Sequence, residues 1–319
     1  MMKTIVCALP EIDFVVDETE KINPTLLEEK NVRTEKITKK SQYPKLVVTG
    51  CGFMINSKEA LYTELVSLLK RKRAGDYCLG CNIEPLDGCI RTHLIANKLN
   101  KFRLIVCRDK KSLVWLEKHV NKPQKEYLPD ILFGMPDSWF PMTGCGKSLG
   151  ISLMHRKGDA ADCAYYKSMA HIADFWVEKT GDDVLLMAFD SGLEDDVYSC
   201  DCVRNLMKCR EKAKIVIHKN GGEIFKAYSE CAKIIGARFH SAPLAFKMGL
   251  PFYPIVYREK MKNLIDDLAY PVCGCRIDEI HIKDIENFVM SEMSYKPDEK
   301  IISASQEYAK IFREALDKG

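Results

Sequence analysis

The sequence lacks both a membrane-spanning segment and a marked excess of charge. None of its apolar runs approaches the roughly 20 residues that a helix needs to cross a bilayer. The opening stretch MMKTIVCALPEIDFVV carries one lysine, and Glu11 and Asp13 interrupt its apolar run, which is unlike a secretory signal peptide. A net charge of +3 over 319 residues gives no electrostatic reason to expect a nucleic acid as partner. These absences predict a soluble, cytoplasmic protein.

Internal repeats and low-complexity segments are absent too, whereas cysteine is abundant, with 14 residues. In a cytoplasmic protein these thiols are expected to be reduced. Cys78 and Cys81 fall inside a predicted strand, where alternate side chains face opposite ways, and Cys200 and Cys202 lie in a helical pattern. A structural zinc needs two close pairs that converge. We therefore expect buried free thiols and no metal site.

Short β-type runs alternate with helical patterns along most of the chain. Strands without strict polar alternation, separated by helices, are typical of parallel sheets covered on both faces. The predicted strands are 4–10, 45–50, 77–83, 103–109 and 127–133, followed by 149–155, 183–189, 214–218, 233–237 and 252–257. A Gly- and Pro-rich joint, GMPDSWFPMTGCGKS, separates the two series. We predict two α/β domains, 1–146 and 147–319, with doubly wound parallel sheets facing a cleft and a closing C-terminal helix in the second.

The stretch IIGARFHSAPLAFKMGLPFYPIVY, residues 234–257, is the strongest candidate for a functional site. It predicts a strand, a turn, a helix, a Gly-Pro break and a second strand. Arg238 and His240 follow the first strand directly, and ligands of open parallel sheets bind beyond the carboxyl ends of strands. A guanidinium binds carboxylate or phosphate in a bidentate manner, a histidine moves protons near neutral pH, and helix amides favour anions. The pattern favours an anionic substrate, and a structural histidine is the alternative.

Three other motifs carry weaker signals. TGCGKS, residues 143–148, has Pro141 where a phosphate loop needs its first glycine, so we do not interpret it as one. GCGFM follows a strand, and the amides of its glycines Gly50 and Gly52 are candidates for lining a ligand site. KRKR, residues 70–73, ends a helical pattern, where it complements the helix dipole or faces anionic lipid headgroups.

The segment 236–268 resembles the polysaccharide pyruvyl transferases, whose members contain G-x-R-x-H, a helix, G-x-P, a strand and Y-x-x-K. The corresponding residues here are Gly236, Arg238, His240, Gly249, Pro251, Tyr257 and Lys260. KLVVTGCGFM, CLGCNIEPLDG and LIVCRDKKSLVWL resemble earlier blocks of the family, including its R-D-x-x-S element. The resemblance therefore extends from about Leu46 to Leu268.

This resemblance implies a fold like that of the two-domain GT-B glycosyltransferases, with an acceptor-side first domain and a donor-side second domain. The implied activity moves the pyruvyl unit of phosphoenolpyruvate onto two hydroxyls of a glycan sugar, forming a cyclic ketal in cell-surface polysaccharide biosynthesis. The implied reaction needs no metal and no organic cofactor. His240 is then the catalytic residue, and Arg238, Arg156 and Lys260 bind the donor. Arg156 is assigned because the family places an arginine at the end of the second domain's first strand, here ISLMHRKG.

Two alternative functions stay open. One is a GT-B-type glycosyltransferase that uses a nucleotide sugar. The other is a non-catalytic relative that binds a sugar, since the family's N-x-G-D-like opening loop is missing from TIVCALPEIDFVVDETEK. The expected partners are phosphoenolpyruvate and a glycan acceptor, with no nucleic acid. A lipid-linked acceptor and peripheral contact with the inner membrane surface are further alternatives.

Overall fold

The computed structural model describes residues 2–17, 24–36, 46–48, 77–83, 89–141, 146–192, 194–219, 222–296 and 298–318. The chain forms two compact units. The first, which we call the N-unit, comprises Met1–Met135 together with Glu299–Gly319, and the second, the C-unit, comprises Pro136–Asp298. Within the described residues, no helix is long and apolar enough to cross a membrane.

The N-unit contains a four-stranded parallel sheet and a separate parallel pair of strands. The pair is β1 and β2, and the sheet has the order β3-β4-β5-β6. The strands are β1 (Phe14–Asp17), β2 (Val32–Glu35), β3 (Leu46–Val48), β4 (Tyr77–Cys81), β5 (Leu104–Cys107) and β6 (Gln124–Tyr127). The helices are α1 (Met2–Ala8), α2 (Pro24–Leu27), α3 (Cys89–Leu99), α4 (Lys110–His119) and, after the C-unit, α11 (Glu299–Asp317).

The first predicted strand, residues 4–10, is wrong, because Met2–Ala8 is helical. Ile5, Val6 and Leu9 are buried in the core of the N-unit, and their spacing suits one face of a helix. β-branched residues favour strands only weakly, and the burial of this face outweighs that preference. The predicted strand 127–133 also differs, since Asp130 accepts a hydrogen bond from Leu132 N and starts a 3-10 turn there.

The closing helix α11 lies in the N-unit, although we predicted it as part of the second domain. Tyr308 and Phe312 are buried in the core of that unit, and the Tyr308 hydroxyl donates to Leu128 O. The Ser305 hydroxyl donates to Asp130 O over 2.9 Å. The apolar face of this helix therefore completes the first unit, and the first crossing between the units falls at Met135 and not at residue 146.

Cys78 and Cys81 face the same side of the four-stranded sheet, contrary to our prediction of opposite faces. Gly80 adopts φ of +76°, and the pairing register shifts between Leu79 and Cys81. The resulting bulge turns Cys81 into the same buried cluster as Cys78 and Cys107. The hydrogen-bonded thiol of Cys81, together with burial, raises the pKa of Cys78, so this cysteine stays protonated and unreactive at neutral pH.

The C-unit is built on a six-stranded parallel sheet with the order β12-β11-β10-β7-β8-β9. Its strands are β7 (Ser148–Leu153), β8 (Val184–Ala188), β9 (Ala213–Ile217), β10 (Cys231–Gly236), β11 (Phe252–Val256) and β12 (Cys275–Arg276). Its helices are α5 (Ala164–Thr180), α6 (Asp196–Leu206), α7 (Gly222–Ser229), α8 (Ser241–Lys247), α9 (Glu259–Asp267) and α10 (Ile282–Met290).

The order of these strands is that of a doubly wound sheet. The chain starts at the central β7, builds outward through β8 and β9, and returns to place β10 on the other side of β7. The strand order therefore reverses between β7 and β10, and ligands of such sheets bind at the carboxyl ends of the strands beside this switch point. Both units have the predicted α/β architecture with parallel sheets.

Candidate functional site

The candidate site lies at the carboxyl edge of the six-stranded sheet, around the switch point between β7 and β10. Arg238 and His240 follow β10, and His155 and Arg156 follow β7. Lys260 lies in the first turn of α9, just beyond β11. The structure therefore brings the four predicted catalytic and donor-binding residues of the second domain to the same edge of one sheet.

Glycine is required at the first position of the G-x-R-x-H motif for a steric reason. A Cβ on Gly236 would lie 2.2 Å from Ser241 Oγ and 2.5 Å from the Phe252 ring. Ser241 is fully buried, and Tyr228 donates to its carbonyl oxygen over 3.1 Å. Only glycine at this position allows α8 to start close against the end of β10, which sets the direction of the Arg238–His240 turn.

The glycine of the G-x-P motif ends α8. Gly249 adopts φ of +69°, its N–H donates to Phe246 O, and the N–H of Leu250 donates to Ala245 O. This pair of bonds is a Schellman motif, for which glycine is the preferred residue. Both motif glycines therefore shape the backbone of the candidate site.

The first amides of α8 are already used within the turn. Ser241 N donates to Arg238 O, Ala242 N donates to Phe239 O, and Pro243 has no N–H. We expected the helix amides to favour an anion, and the structure corrects this expectation. Attraction for an anion at this edge must come from side chains.

Arg238 is held by two carboxylates. Its Nε donates to Asp196 Oδ2 over 2.7 Å, its Nη2 donates to Asp196 Oδ1, and its Nη1 donates to Glu194. The Asp196 side chain is fully buried, whereas that of Glu194 is 56% exposed. Burial opposes the charge of Arg238, but the bonds to Asp196 outweigh it and raise the pKa of the guanidinium.

Asp196 joins three loops of the site. Besides Arg238, it accepts hydrogen bonds from Asp190 N after β8 and from His155 N after β7. Burial raises the pKa of Asp196, while Arg238 and these amides oppose that rise. This central position of Asp196 has no sequence signature, because its partner Arg238 lies 42 residues away along the chain.

His240 precedes α8 and is partly buried beside Phe239. The two rings meet edge to face, with centroids 5.5 Å apart. Phe239 is buried, and the Lys260 ammonium lies 5.6 Å from its ring centroid and 5.2 Å from that of Tyr257. The aromatic residue inside the G-x-R-x-H motif therefore contacts both the imidazole and a cation.

Arg156 is engaged by acidic residues of its own unit. Its Nε donates to Asp159 over 3.0 Å, and its Nη1 donates to Asp278. Hydrogen bonds to these carboxylates raise the pKa of Arg156. The arrangement fixes the loop after β7, and a ligand would have to compete with two carboxylates for this guanidinium.

His155 forms a hydrogen-bonded chain that sequence reasoning did not assign. Its Nδ1 lies 3.0 Å from the Tyr166 hydroxyl, which lies 3.0 Å from Ser199 Oγ. The Tyr198 ring also packs against the imidazole, with centroids 4.9 Å apart. No sequence spacing links these residues, because the chain brings them together only when α5 and α6 pack against the sheet.

Some predicted features lie outside the described residues: Gly50, Gly52 and the KRKR stretch at 70–73. Within the parts of the chain that are described, no three His, Cys, Asp or Glu side chains lie close enough together to hold a metal ion. The absence of a metal or cofactor stays a prediction.

Comparison with known families decides the classification. The family model for polysaccharide pyruvyl transferase matches residues 8–259, which is more than half of the chain. The chain belongs to the polysaccharide pyruvyl transferase family. The resemblance inferred from the motifs is therefore confirmed. No curated protein matches the sequence of this family member.

Solved structures show that this pyruvyl transferase family member has a GT-B-like fold. It covers all of its length and 93% of a Listeria monocytogenes protein assigned as a UDP-N-acetylglucosamine 2-epimerase, with 9% identity and a TM-score of 0.63. It also covers all of its length and 96% of the UDP-GlcNAc 2-epimerase of Neisseria meningitidis, with 8% identity and a TM-score of 0.57. It also covers 56% of a chain from the Gap123 glycosylation complex of Streptococcus agalactiae, with 12% identity and a TM-score of 0.43.

The R-D-x-x-S element of the family is a structural anchor in this chain. Asp109 accepts hydrogen bonds from Ser112 N and Ser112 Oγ, and Ile83 N donates to Ser112 Oγ over 2.7 Å. Buried Arg108 donates to Asp130 and to the side chain of Asn82. The element thus ties the end of β4 to the start of α4.

Proposed function

We propose that this chain transfers the pyruvyl unit of phosphoenolpyruvate onto two hydroxyls of a glycan sugar, forming a cyclic ketal. One observation carries the proposal beyond family membership: the G-x-R-x-H turn stands at the switch point of a doubly wound sheet, with its guanidinium oriented by a buried carboxylate. This is the position and the residue chemistry that a small dianionic donor requires.

The donor anion is bound by Arg238 in this proposal. Asp196 holds Nε and Nη2 and keeps the guanidinium plane fixed, so Nη1 is the donor group left for a ligand. In the structure that group contacts Glu194, whose side chain is mostly exposed. We infer that the carboxylate or phosphate of phosphoenolpyruvate replaces Glu194 on Arg238. Lys260 adds a second cation beside Phe239.

His240 supplies the proton in this reaction. Protonated imidazole gives a proton to the methylene carbon of phosphoenolpyruvate, which becomes a methyl group, while the central carbon becomes electrophilic. One sugar hydroxyl adds to that carbon and gives its proton to the now neutral imidazole of His240. The bond from carbon to the phosphate oxygen then breaks, the second hydroxyl adds, and its proton leaves with the inorganic phosphate. The products are one ketal and one phosphate for each donor consumed.

In this proposal Arg156 can bind phosphoenolpyruvate only if it first breaks its hydrogen bond to one of its two carboxylate partners. Asp159 holds two of its nitrogens, and the more exposed Asp278 holds the third. The contact with Asp278 is the one that an anion would replace, in the same way as Glu194 on Arg238.

Two measurements test the proposed function. In the first, a native-state ligand raises the melting temperature by mass action, so phosphoenolpyruvate should stabilise the protein and UDP-N-acetylglucosamine should not. In the second, incubation with phosphoenolpyruvate and a panel of glycan acceptors should release phosphate. Release of nucleotide from a sugar nucleotide would favour a glycosyltransferase, and ligand binding without turnover on any acceptor would favour a non-catalytic relative.

A further inference from the structure

A strongly basic surface lies on the N-unit. We define it as the outer side of α3, α4 and the turns that follow them, residues 92–125. This segment has nine lysines and arginines against two acidic residues, Asp109 and Glu117, a net charge of +7. The whole chain has only +3, so all other residues together carry −4. The net positive charge of this segment therefore exceeds that of the whole chain.

Packing places these cations on a single surface. α3 and α4 cover the same face of the four-stranded sheet, where Ile95, Leu99, Leu116 and Val120 share one buried cluster. The turns after the two helices are joined, because Asn100 Oδ1 accepts hydrogen bonds from the N–H groups of residues 121 and 122. The exposed cations of the surface are Lys101, Arg103, Lys110, Lys111, Lys118 and Lys122.

An exposed apolar side chain lies in the middle of the basic surface. Val114 of α4 is 63% exposed. Lys111 is three residues before it and Lys118 four residues after it, so the three side chains form one stripe on the helix. Trp115 is partly exposed next to this stripe and contacts the His119 ring at a tilt, with centroids 4.8 Å apart. Lysines around an apolar and aromatic centre are characteristic of helices that lie at a membrane interface.

We propose that the basic surface docks the protein on a bilayer that contains anionic headgroups. The charge of the surface is complementary to such a bilayer, and the valine would enter the headgroup layer between the lysines. A nucleic acid would use the charge but would gain nothing from the exposed valine, because its bases bind by stacking on aromatic faces. The proposal is independent of the reaction at the C-unit.

Vesicle co-sedimentation tests this proposal with the whole chain. The probes are vesicles of phosphatidylcholine alone and vesicles with about 30% phosphatidylglycerol, a typical anionic surface. The variant Lys101→Gln/Lys118→Gln/Lys122→Gln should lose on the order of a hundredfold in affinity for the anionic vesicles, since each surface lysine contributes about fivefold. The matched control changes three exposed lysines of the C-unit, Lys179, Lys208 and Lys296, to glutamine and should bind like the parent.

A second variant separates lipid from other polyanions. Val114→Ser leaves the charge unchanged and should weaken vesicle binding by about fivefold, because the exposed valine no longer contributes apolar contact. Equal binding to both kinds of vesicle, or an equal loss in the control variant, would overturn the proposal. A short single-stranded RNA that competes fully for the surface while Val114→Ser has no effect would identify a nucleic acid as the occupant and would also overturn it.

Discussion

A substitution of Glu194 tests whether its carboxylate competes with phosphoenolpyruvate for Arg238. Glu194 contacts Nη1 of Arg238 and is 56% exposed, whereas Asp196 is fully buried. An exposed ion pair contributes about 0.2–1 kcal/mol. The substitution Glu194→Gln should therefore lower the Kd for phosphoenolpyruvate by up to about fivefold, since the ligand no longer displaces a charged group.

Calorimetric titration of phosphoenolpyruvate into the parent and the variant measures this effect. Glu178→Gln, a change of the same charge at an exposed position of α5, is the control and should leave the Kd unchanged. Because both variants raise the net charge equally, a difference between them reflects contact with Arg238. The reasoning is refuted if Glu194→Gln leaves the affinity unchanged or weakens it, since the donor would then not use this face of the guanidinium.

Three further outcomes follow from the structure. His240→Gln should keep donor affinity but lower turnover by about a hundredfold or more, because an amide cannot protonate carbon; phosphate release at saturating donor measures this. Asp196→Asn breaks a buried ion pair and should lower the free energy of unfolding by about 3–5 kcal/mol in urea titrations, whereas an equal stability of parent and variant would exclude its anchoring role. Burial lowers the pKa of His218 below its usual 6.5, so acidification through pH 6.5 should destabilise the folded state, and His218→Gln should flatten that pH dependence of the melting temperature.

The local pattern of the sequence was enough to predict the turn that carries Arg238 and His240. Gly236 and Gly249 have local steric and capping reasons, and a strand followed by a helix fixes the carboxyl edge of a parallel sheet. These features depend on neighbours within a few residues. The parallel sheets were predictable for the same reason, because apolar runs bounded by turn residues report burial on both faces.

The partners of the charged residues could not be predicted. Arg238 meets Asp196 across 42 positions and Arg156 meets Asp278 across 122, and neither pair has a sequence signature. Sequence reasoning therefore treated both arginines as available to a ligand, whereas the structure shows each of them bound to two carboxylates.

The bulge at Gly80 and the placement of the closing helix were also not predicted, because both depend on contacts between residues distant in sequence. The bulge at Gly80, which places Cys78 beside Cys81, depends on the pairing of β4 with β5. The closing helix belongs to the N-unit because Phe312 fits that core, and a buried face on an amphipathic helix does not indicate which core will accept it.

The most direct test of the central claim is the stoichiometry of phosphate release and ketal formation with phosphoenolpyruvate and a functional glycan acceptor. The proposed reaction predicts one phosphate and one pyruvate ketal for each donor consumed, detected by phosphate assay and by the methyl resonance of the ketal in NMR spectra. The rates of both should fall together by about a hundredfold or more in His240→Gln. Phosphate release without a ketal, or a full yield of ketal from the variant, would contradict the assignment of His240 as the proton donor in a pyruvyl transfer.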